Sequence, residues 1–415
     1  MRLVKMSLLA ATLIASSAFA IDNVKVSGDA MLFYGTNDAF ESKGFGVDPE
    51  ASLFDKDNSW GQTSLGLGAT ADLTEGVSAG VHLTAISQMG LTNIASGVFE
   101  GGLTDEYWFD EAWLAGTYGK TTAKVGRMTL DTPLAFTETW SVAYNTFEAG
   151  VLINEDIPDT TLVAAYIGAG NNGNAMGQWG TGQYAGITAD WDGSQNTNFG
   201  PVNGGKGAYT IGAVNNSWTP LTVQGWYYDL PSATTAYWLQ GDLALDMGLS
   251  VGAQVAGFDS KTTTTGDSSN MALAAKVGYE MKDTFAVSVA GSQIGENDNG
   301  IGAGFNLFGA QSKLYTEAWW NFAYVARPDT TTINVAATTP EELTYVALGV
   351  YVTQATVGEN GTGADQKQDM SEVTLGVAKS FGPLDAGLYY VVTDAEDQNN
   401  GDSYGSAQVY LTYNF

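Results

Sequence analysis

The sequence predicts an all-β chain, a transmembrane antiparallel β-barrel of about 18 strands. Three observations predict it. Segments of period-2 alternation recur along the chain, tight turns alternate with long polar loops between them, and the last alternating segment ends flush on an aromatic, Phe415.

The chain opens with a three-part export pattern. Arg2 and Lys5 form a positive start, Ser7 to Ala15 an apolar stretch, and Ala18-Phe19-Ala20 an A-x-A cleavage site. The expected organisation is a signal peptide over 1–20 and a single barrel over 21–415. No cysteine stands at the cleavage site, which excludes a lipoprotein, and the absence of any cysteine excludes disulfides and thiol chemistry.

The strands follow. Val77, Ala79, Val81, Leu83 and Ala85 alternate with Ser78, Gly80, His82 and Thr84. Phe147, Ala149, Val151 and Ile153 alternate with Glu148, Gly150, Leu152 and Asn154. Met271, Leu273, Ala275, Val277 and Tyr279 alternate with Ala272, Ala274, Lys276, Gly278 and Glu280; Phe285, Val287 and Val289 follow the same rule. At the end, Ala407, Val409, Leu411, Tyr413 and Phe415 oppose Gln408, Tyr410, Thr412 and Asn414. In a barrel the apolar set faces lipid and the polar or small set lines a wet lumen. His82, Lys276 and Glu280 are therefore expected to line it.

Short turns are expected at 74–75, 119–120, 155–159, 217–220, 246–248, 281–283, 339–341 and 382–383. Longer connections are expected at 35–60, 89–106, 129–145, 169–205, 230–234, 259–269, 294–329, 353–368 and 394–403. Eight turns and nine loops separate 18 strands, an even number with both termini on the turn side. The segment 183–190 could add a strand, 312–325 competes with 330–338 for one position, and sixteen strands is the alternative. No composition break marks a second domain.

The charge narrows the function classes. The chain carries 16 basic and 45 acidic residues, and loss of the signal would leave 14 basic against 45 acidic, with Arg127 and Arg327 the remaining arginines. Nucleic-acid partners need basic surface and are excluded on these numbers. An acidic surface attracts cations. With 52 glycines and 12% aromatics, the composition suits many short strands and aromatic girdles.

Little points to catalysis. His82 is the single histidine, too few for a histidine zinc site, and no G-x-S-x-G elbow is present. Gly168 to Gly173 matches G-x-G-x-x-G, but Asn and Gly follow where a dinucleotide site needs a helix. The chain is expected to be no enzyme and to hold no cofactor. Acidic loop clusters at Asp55 and Asp57, and at Asp394, Glu396 and Asp397, could hold loosely bound Ca2+ and bridge to anionic lipopolysaccharide. The spacing from Asp55 is not that of a twelve-residue calcium loop, since Gly66 stands where a Glu is needed.

The segment after Val125 is the most specific. Val125-Gly126-Arg127, Thr132-Pro133-Leu134, Asn145-Thr146-Phe147-Glu148 and Asp156-Ile157-Pro158-Asp159 resemble the OprD-type and epsilonproteobacterial major outer-membrane porins. Leu314-Tyr315-Thr316-Glu317-Ala318-Trp319-Trp320 is similar to a family feature too. The resemblance implies a Gram-negative outer-membrane barrel whose third extracellular loop folds inward. It implies a constriction near Arg127, Asp131 and Glu138, with Glu111 and Glu148 beside them. A second inserted loop would carry Glu317, Trp319 and Trp320. It also implies a homotrimer in lipid and lipopolysaccharide, and passive diffusion of small hydrophilic solutes. The chain departs from the substrate-specific members by lacking a ladder of arginines, so cations and neutral solutes are expected to be favoured. A substrate-selective channel and a surface structural or adhesive barrel are the competing expectations.

Overall fold

The computed structural model describes residues 22–39, 52–95, 105–139, 141–171, 199–262, 266–358 and 368–415. The signal segment, Gly173 and the optional strand at 183–190 lie outside the described residues.

The wall begins with β1 (Asp22–Asn37), β2 (Ser59–Thr74), β3 (Val77–Ser87), β4 (Asp105–Tyr118), β5 (Thr121–Met128), β6 (Phe147–Asn154) and β7 (Thr160–Gly170). A two-residue strand, β8 (Gly200–Pro201), pairs with the end of β7 and takes no full place in the wall. It continues with β9 (Ala208–Trp218), β10 (Leu221–Leu230), β11 (Thr234–Ala244), β12 (Leu249–Ser260), β13 (Ser269–Met281) and β14 (Phe285–Ile294). It ends with β15 (Thr330–Thr339), β16 (Ala347–Val357), β17 (Met370–Phe381), β18 (Leu384–Ala395) and β19 (Tyr404–Asn414). Without β8 these are 18 strands, each antiparallel to its neighbours, with β7 pairing directly to β9.

The sheet closes on itself where β1 meets β19, from Asp29 opposite Asn414 to Asn37 opposite Ser406. The Gly28 N–H donates to the Phe415 carbonyl at 2.7 Å, and the Phe415 N–H returns a bond to Gly28 at 2.9 Å. Closure leaves no unpaired edge, the condition for putting strands in hydrocarbon. Gly28 is required here, since a Cβ would stand 2.8 Å from the Gly66 backbone carbonyl oxygen as well as 2.5 Å from the Phe415 ring.

The outer surface is apolar. Val223, Leu239, Val251, Leu273, Val289, Ile333, Val350, Leu375 and Leu388 are all exposed, one after another around the wall. An apolar belt of this extent is stable only against lipid. Exposed aromatics flank it. Tyr118, Trp218, Phe381 and Phe415 lie at the turn side, and Tyr107, Tyr209 and Tyr237 at the loop side. These two rings are the girdles expected at the membrane interfaces.

The turns fall where the sequence places them, with Glu75-Gly76, Gly119-Lys120, Thr219-Pro220 and Gly382-Pro383 the tightest. The β15–β16 turn is longer, because Glu341–Thr344 form one helical turn. Residues 330–339, not 312–325, form the contested strand. The latter segment lies inside the barrel.

The interior is where alternation misleads. The connection between β5 and β6 and the one between β14 and β15 both fold into the lumen. There Leu134, Ala135, Phe305, Leu307, Leu314 and Ala318 form one buried cluster with Phe147, Ile167, Trp226, Tyr228, Trp238 and Phe258 of the wall. The lumen side is therefore partly apolar. In β6, Phe147 points inward against Phe308, ring centres 5.5 Å apart, while Leu152 is exposed on the outer face. The apolar set of β6 thus faces the packed lumen, opposite to the lipid-facing expectation.

Candidate functional site

The two inserted segments define the site. The third loop, 129–146, is drawn in by contacts along its length. Tyr228 of β10 accepts the Leu134 N–H at 3.2 Å and donates to the Thr132 hydroxyl at 3.0 Å. The Thr146 hydroxyl donates to the Asp110 carbonyl at 2.7 Å. The second segment, 295–329, follows the inner wall. The Tyr315 N–H donates to Gln254 of β12 at 3.0 Å, and its phenol to Asp242 of β11 at 2.5 Å. The Thr316 hydroxyl meets Ser292 of β14 at 2.6 Å. The segment then reaches β17.

There Glu372, only 2% exposed, accepts three successive backbone N–H groups. Trp319 donates at 2.8 Å, Trp320 at 3.1 Å and Asn321 at 2.8 Å, and the Asn321 side-chain amide adds a bond at 2.9 Å. Consecutive N–H groups aimed at one point form an anion-binding nest, and here the anion is supplied by the wall.

Glu138 performs the reciprocal task between the two segments. Its carboxylate accepts from the N–H groups of Ala310 at 3.0 Å and Gln311 at 2.9 Å and from the Asn306 amide at 2.8 Å. It is 2% exposed, so it ties the two insertions together rather than facing water. Asp131 is its opposite, 91% exposed and ion-paired to Lys313 of the second segment.

Glu317, on the second segment, accepts the Ser312 N–H at 2.8 Å. Burial pushes its carboxyl up to about 8, with the nearby Glu138 adding to the effect, while the Ser312 N–H and Lys313 oppose it. At neutral pH Glu317 is mainly a neutral acid, able to donate as well as accept.

A second tether holds the third loop at His82. A bulge in β4 turns both Asp110 and Glu111 toward the lumen opposite His82 and Leu83. His82 Nδ1 lies 2.8 Å from Asp110, Nε2 lies 3.5 Å from Asp29 of β1, and the Tyr144 hydroxyl of the loop approaches Nδ1 at 3.2 Å. Asp110 is 1% exposed and also accepts the Thr84 hydroxyl at 2.8 Å. Burial and the Asp110 charge raise the Tyr144 phenol well above its ordinary value, so it stays neutral. Both ring nitrogens of His82 thus face carboxylates, and Glu111 instead accepts the Trp113 indole N–H at 3.2 Å.

The remaining expected residues divide. Lys276 and Glu280 share the inner face of β13 and line a turn-side compartment of about 340 Å³, with the Lys276 ammonium 4.5 Å from the Tyr315 ring centre. Trp319 and Trp320 line a second compartment of about 650 Å³. Arg127 and Glu148 take the opposite face from the one expected of them. They pair with each other at 2.9 Å on the outward face they share with exposed Val125 and Leu152, and Arg127 also donates to the Phe109 carbonyl at 2.9 Å. The inward positions beside them are taken by Met128 and Phe147, which pack against the loops. Of the residues expected at a constriction, Asp131 and Glu138 lie on the inserted loop and Glu111 on the inner face of the wall, while Arg127 and Glu148 lie on its outer face.

Asp55 caps its own turn, accepting the Ser52 N–H at 2.6 Å. Glu396 accepts the Asp369 N–H at 3.2 Å, Asp397 is engaged by Arg327 at 3.2 Å and by the Tyr324 hydroxyl, and Asp394 points outward from β18. Among the described residues no group of three or more His, Asp or Glu is placed to hold a metal ion. Sequence reasoning missed Glu372, Asp110, Asp29 and Tyr144. The first carried a signal: a glutamate on the inner face of an alternating strand needs a partner.

No family model and no curated protein matches the chain. Solved structures do. The chain is similar to Pseudomonas aeruginosa OccK8 (OprE) at 13% identity, with 96% of this chain and 99% of that one covered and a TM-score of 0.71. P. aeruginosa OccD3 (OpdP) also shares 13% identity, over 97% and 93%, with a TM-score of 0.67. P. aeruginosa OpdK, solved with vanillate, shares 12% over 95% and 99%, with a TM-score of 0.72. The fold of this chain is theirs.

Proposed function

We propose that this chain is a porin of a Gram-negative outer membrane, a water-filled channel for passive diffusion of small hydrophilic solutes. One observation carries the reading: a closed 18-strand wall, apolar outside, whose lumen is narrowed by two insertions tied to it through buried carboxylates. A barrel of this size would leave an aqueous hole without them, so their attachment sets what passes. The similar fold of the Occ channels supports the reading, and it assigns no catalysis.

Cation preference follows from the lumen. Asp29, Glu111, Asp242, Glu280 and Asp385 face inward on the wall, with Lys25, Lys124 and Lys276 the inward lysines among its described strands. Fixed charge at a narrow point selects ions by sign. The decisive experiment is single-channel recording of refolded protein in a planar bilayer under a KCl gradient. Discrete steps with a reversal potential favouring K+ are expected. Folded protein that gives no steps sinks the reading in favour of a structural or adhesive barrel.

The remaining attributes belong to the same proposal. A homotrimer rests on the sequence resemblance and is checked by cross-linking in detergent. Loosely bound Ca2+ at the acidic loops, bridging to lipopolysaccharide, would make extracted protein sensitive to a chelator.

A further inference from the structure

The 650 Å³ compartment is within the range of small-molecule sites, and its floor is aromatic. Trp319 stacks on Tyr389 with ring centres 4.2 Å apart and planes at 26°, and lies 5.9 Å from Tyr351 at 28°. Tyr410 stands on edge beside Tyr389, 5.8 Å away at 80°. Trp319 lies face-on over Tyr389 and, more offset, over Tyr351, so the two tyrosines back an indole that is itself 37% exposed, with Tyr410 upright beside them.

The floor is held in place before any ligand arrives. Glu372 fixes the backbone of Trp319, and the indole N–H donates to Gln408 of β19 at 3.3 Å. Gln408 is buried, and its Nε2 has no protein partner. The rim is polar and almost neutral. Thr139, Gln311 and Thr412 contribute uncharged groups, and no Lys or Arg among the described residues lines the compartment. Asp385 is engaged by the Ser380 hydroxyl at 2.6 Å. Glu317, which accepts the Ser312 N–H at 2.8 Å, completes the rim.

We propose that this compartment is a stacking subsite for a neutral polyhydroxylated ring, a mono- or disaccharide, on the diffusion path. A sugar ring offers an apolar C–H face to an aromatic surface and hydroxyls at its edge to a neutral polar rim. An organic cation would also meet the ring faces, but it calls for free carboxylates, and both carboxylates of the rim are engaged, Asp385 by the Ser380 hydroxyl and Glu317 by the Ser312 N–H. The subsite rests on the porin reading for its place in transport.

Two readouts on the refolded full barrel separate the subsite from the pore: tryptophan fluorescence in detergent, which needs no conduction, and current block in a bilayer. The probes are maltose, choline and a polyethylene glycol of similar mass. Maltose is expected to saturate both signals at concentrations on the order of millimolar. Trp319→Ala should weaken it at least ~10-fold, while Trp319→Phe, which keeps an aromatic floor, leaves most of it. Should Trp319→Ala fail to fold, Tyr389→Leu tests the same floor. Saturable choline with Trp319 dependence and no maltose response would make the compartment a cation box and overturn the proposal. Equal effects of all three probes would reduce it to excluded volume. Conducting channels without saturable maltose overturn the subsite alone; saturable maltose on a non-conducting barrel retains it and removes the porin reading.

Discussion

Replacing Glu372 should release the second insertion from the wall. In Glu372→Ala, the N–H groups of Trp319, Trp320 and Asn321 lose their acceptor at a buried position, and the Asn321 amide keeps only its bond to Thr393. Hydrogen bonds to a charged partner contribute about 1.5–3 kcal/mol each, and an orphaned buried donor costs about 1–3 kcal/mol. Four such bonds would total more than the segment can lose, because it opens locally and water enters. A loss of about 4 kcal/mol in docking free energy is therefore expected, or about a 10³-fold fall in protection of those three amides. Glu372→Gln keeps one carbonyl acceptor and should cost about 2 kcal/mol, or about 30-fold. Hydrogen exchange in micelles, read at residues 319–321, measures this directly. Single-channel recording should show a larger and noisier conductance with the 18-strand wall intact. Unchanged protection at those amides together with an unchanged step size would refute the anchoring role of Glu372.

Other predictions concern the remaining tethers. His82→Phe leaves Asp110 buried without its ring partner and removes the Tyr144 contact; breaking a buried pair costs about 3–5 kcal/mol, so the barrel should unfold at a lower temperature, read as the heat-dependent shift on semi-native gels. Equal melting of variant and parent would show that the tether adds nothing. Glu317 has a folded-state pKa above its free value of 4.5. The folded chain therefore keeps a proton that the unfolded chain releases; stability contributed here is greatest below about 4.5, falls as pH rises toward about 8, and the penalty is complete above it. K+ selectivity in a salt gradient should rise between pH 6 and pH 9 as Glu317 ionises, and Glu317→Gln should flatten that rise. A slope that survives the substitution would place the titrating group elsewhere.

The wall was legible because lipid imposes one rule on its outer face. Met271, Leu273, Val277 and Val289 had to be apolar, and alternation followed. The lumen obeys no such rule. Where an insertion packs against the wall, as at Phe147, the inner face becomes apolar and the outer face keeps what is left, so Arg127 and Glu148 were read on the wrong side. The bulge that turns Asp110 inward shifts the alternation by one residue and leaves no mark in local composition. Glu138 and Glu317 were visible as acids on inserted loops. That Glu138 ties the insertions together while Glu317 stays neutral depends on donors more than a hundred residues away from Glu138 and on burial, neither of which a spacing pattern records.

The seam between β1 and β19 has a kinetic meaning. Nearly every other pair of full-length strands joins neighbours in the chain, contacts that cost little loop-closure entropy and form early. The seam joins residues from the two ends, Asp29 with Asn414, and cannot be stable until the intervening strands have curled the sheet around. Until then both terminal strands present free edges, which invite pairing with other chains. The last step of folding therefore decides between a finished ring and an aggregate. It turns on the contact between Gly28 and Phe415, where the close approach leaves no room for a side chain at Gly28.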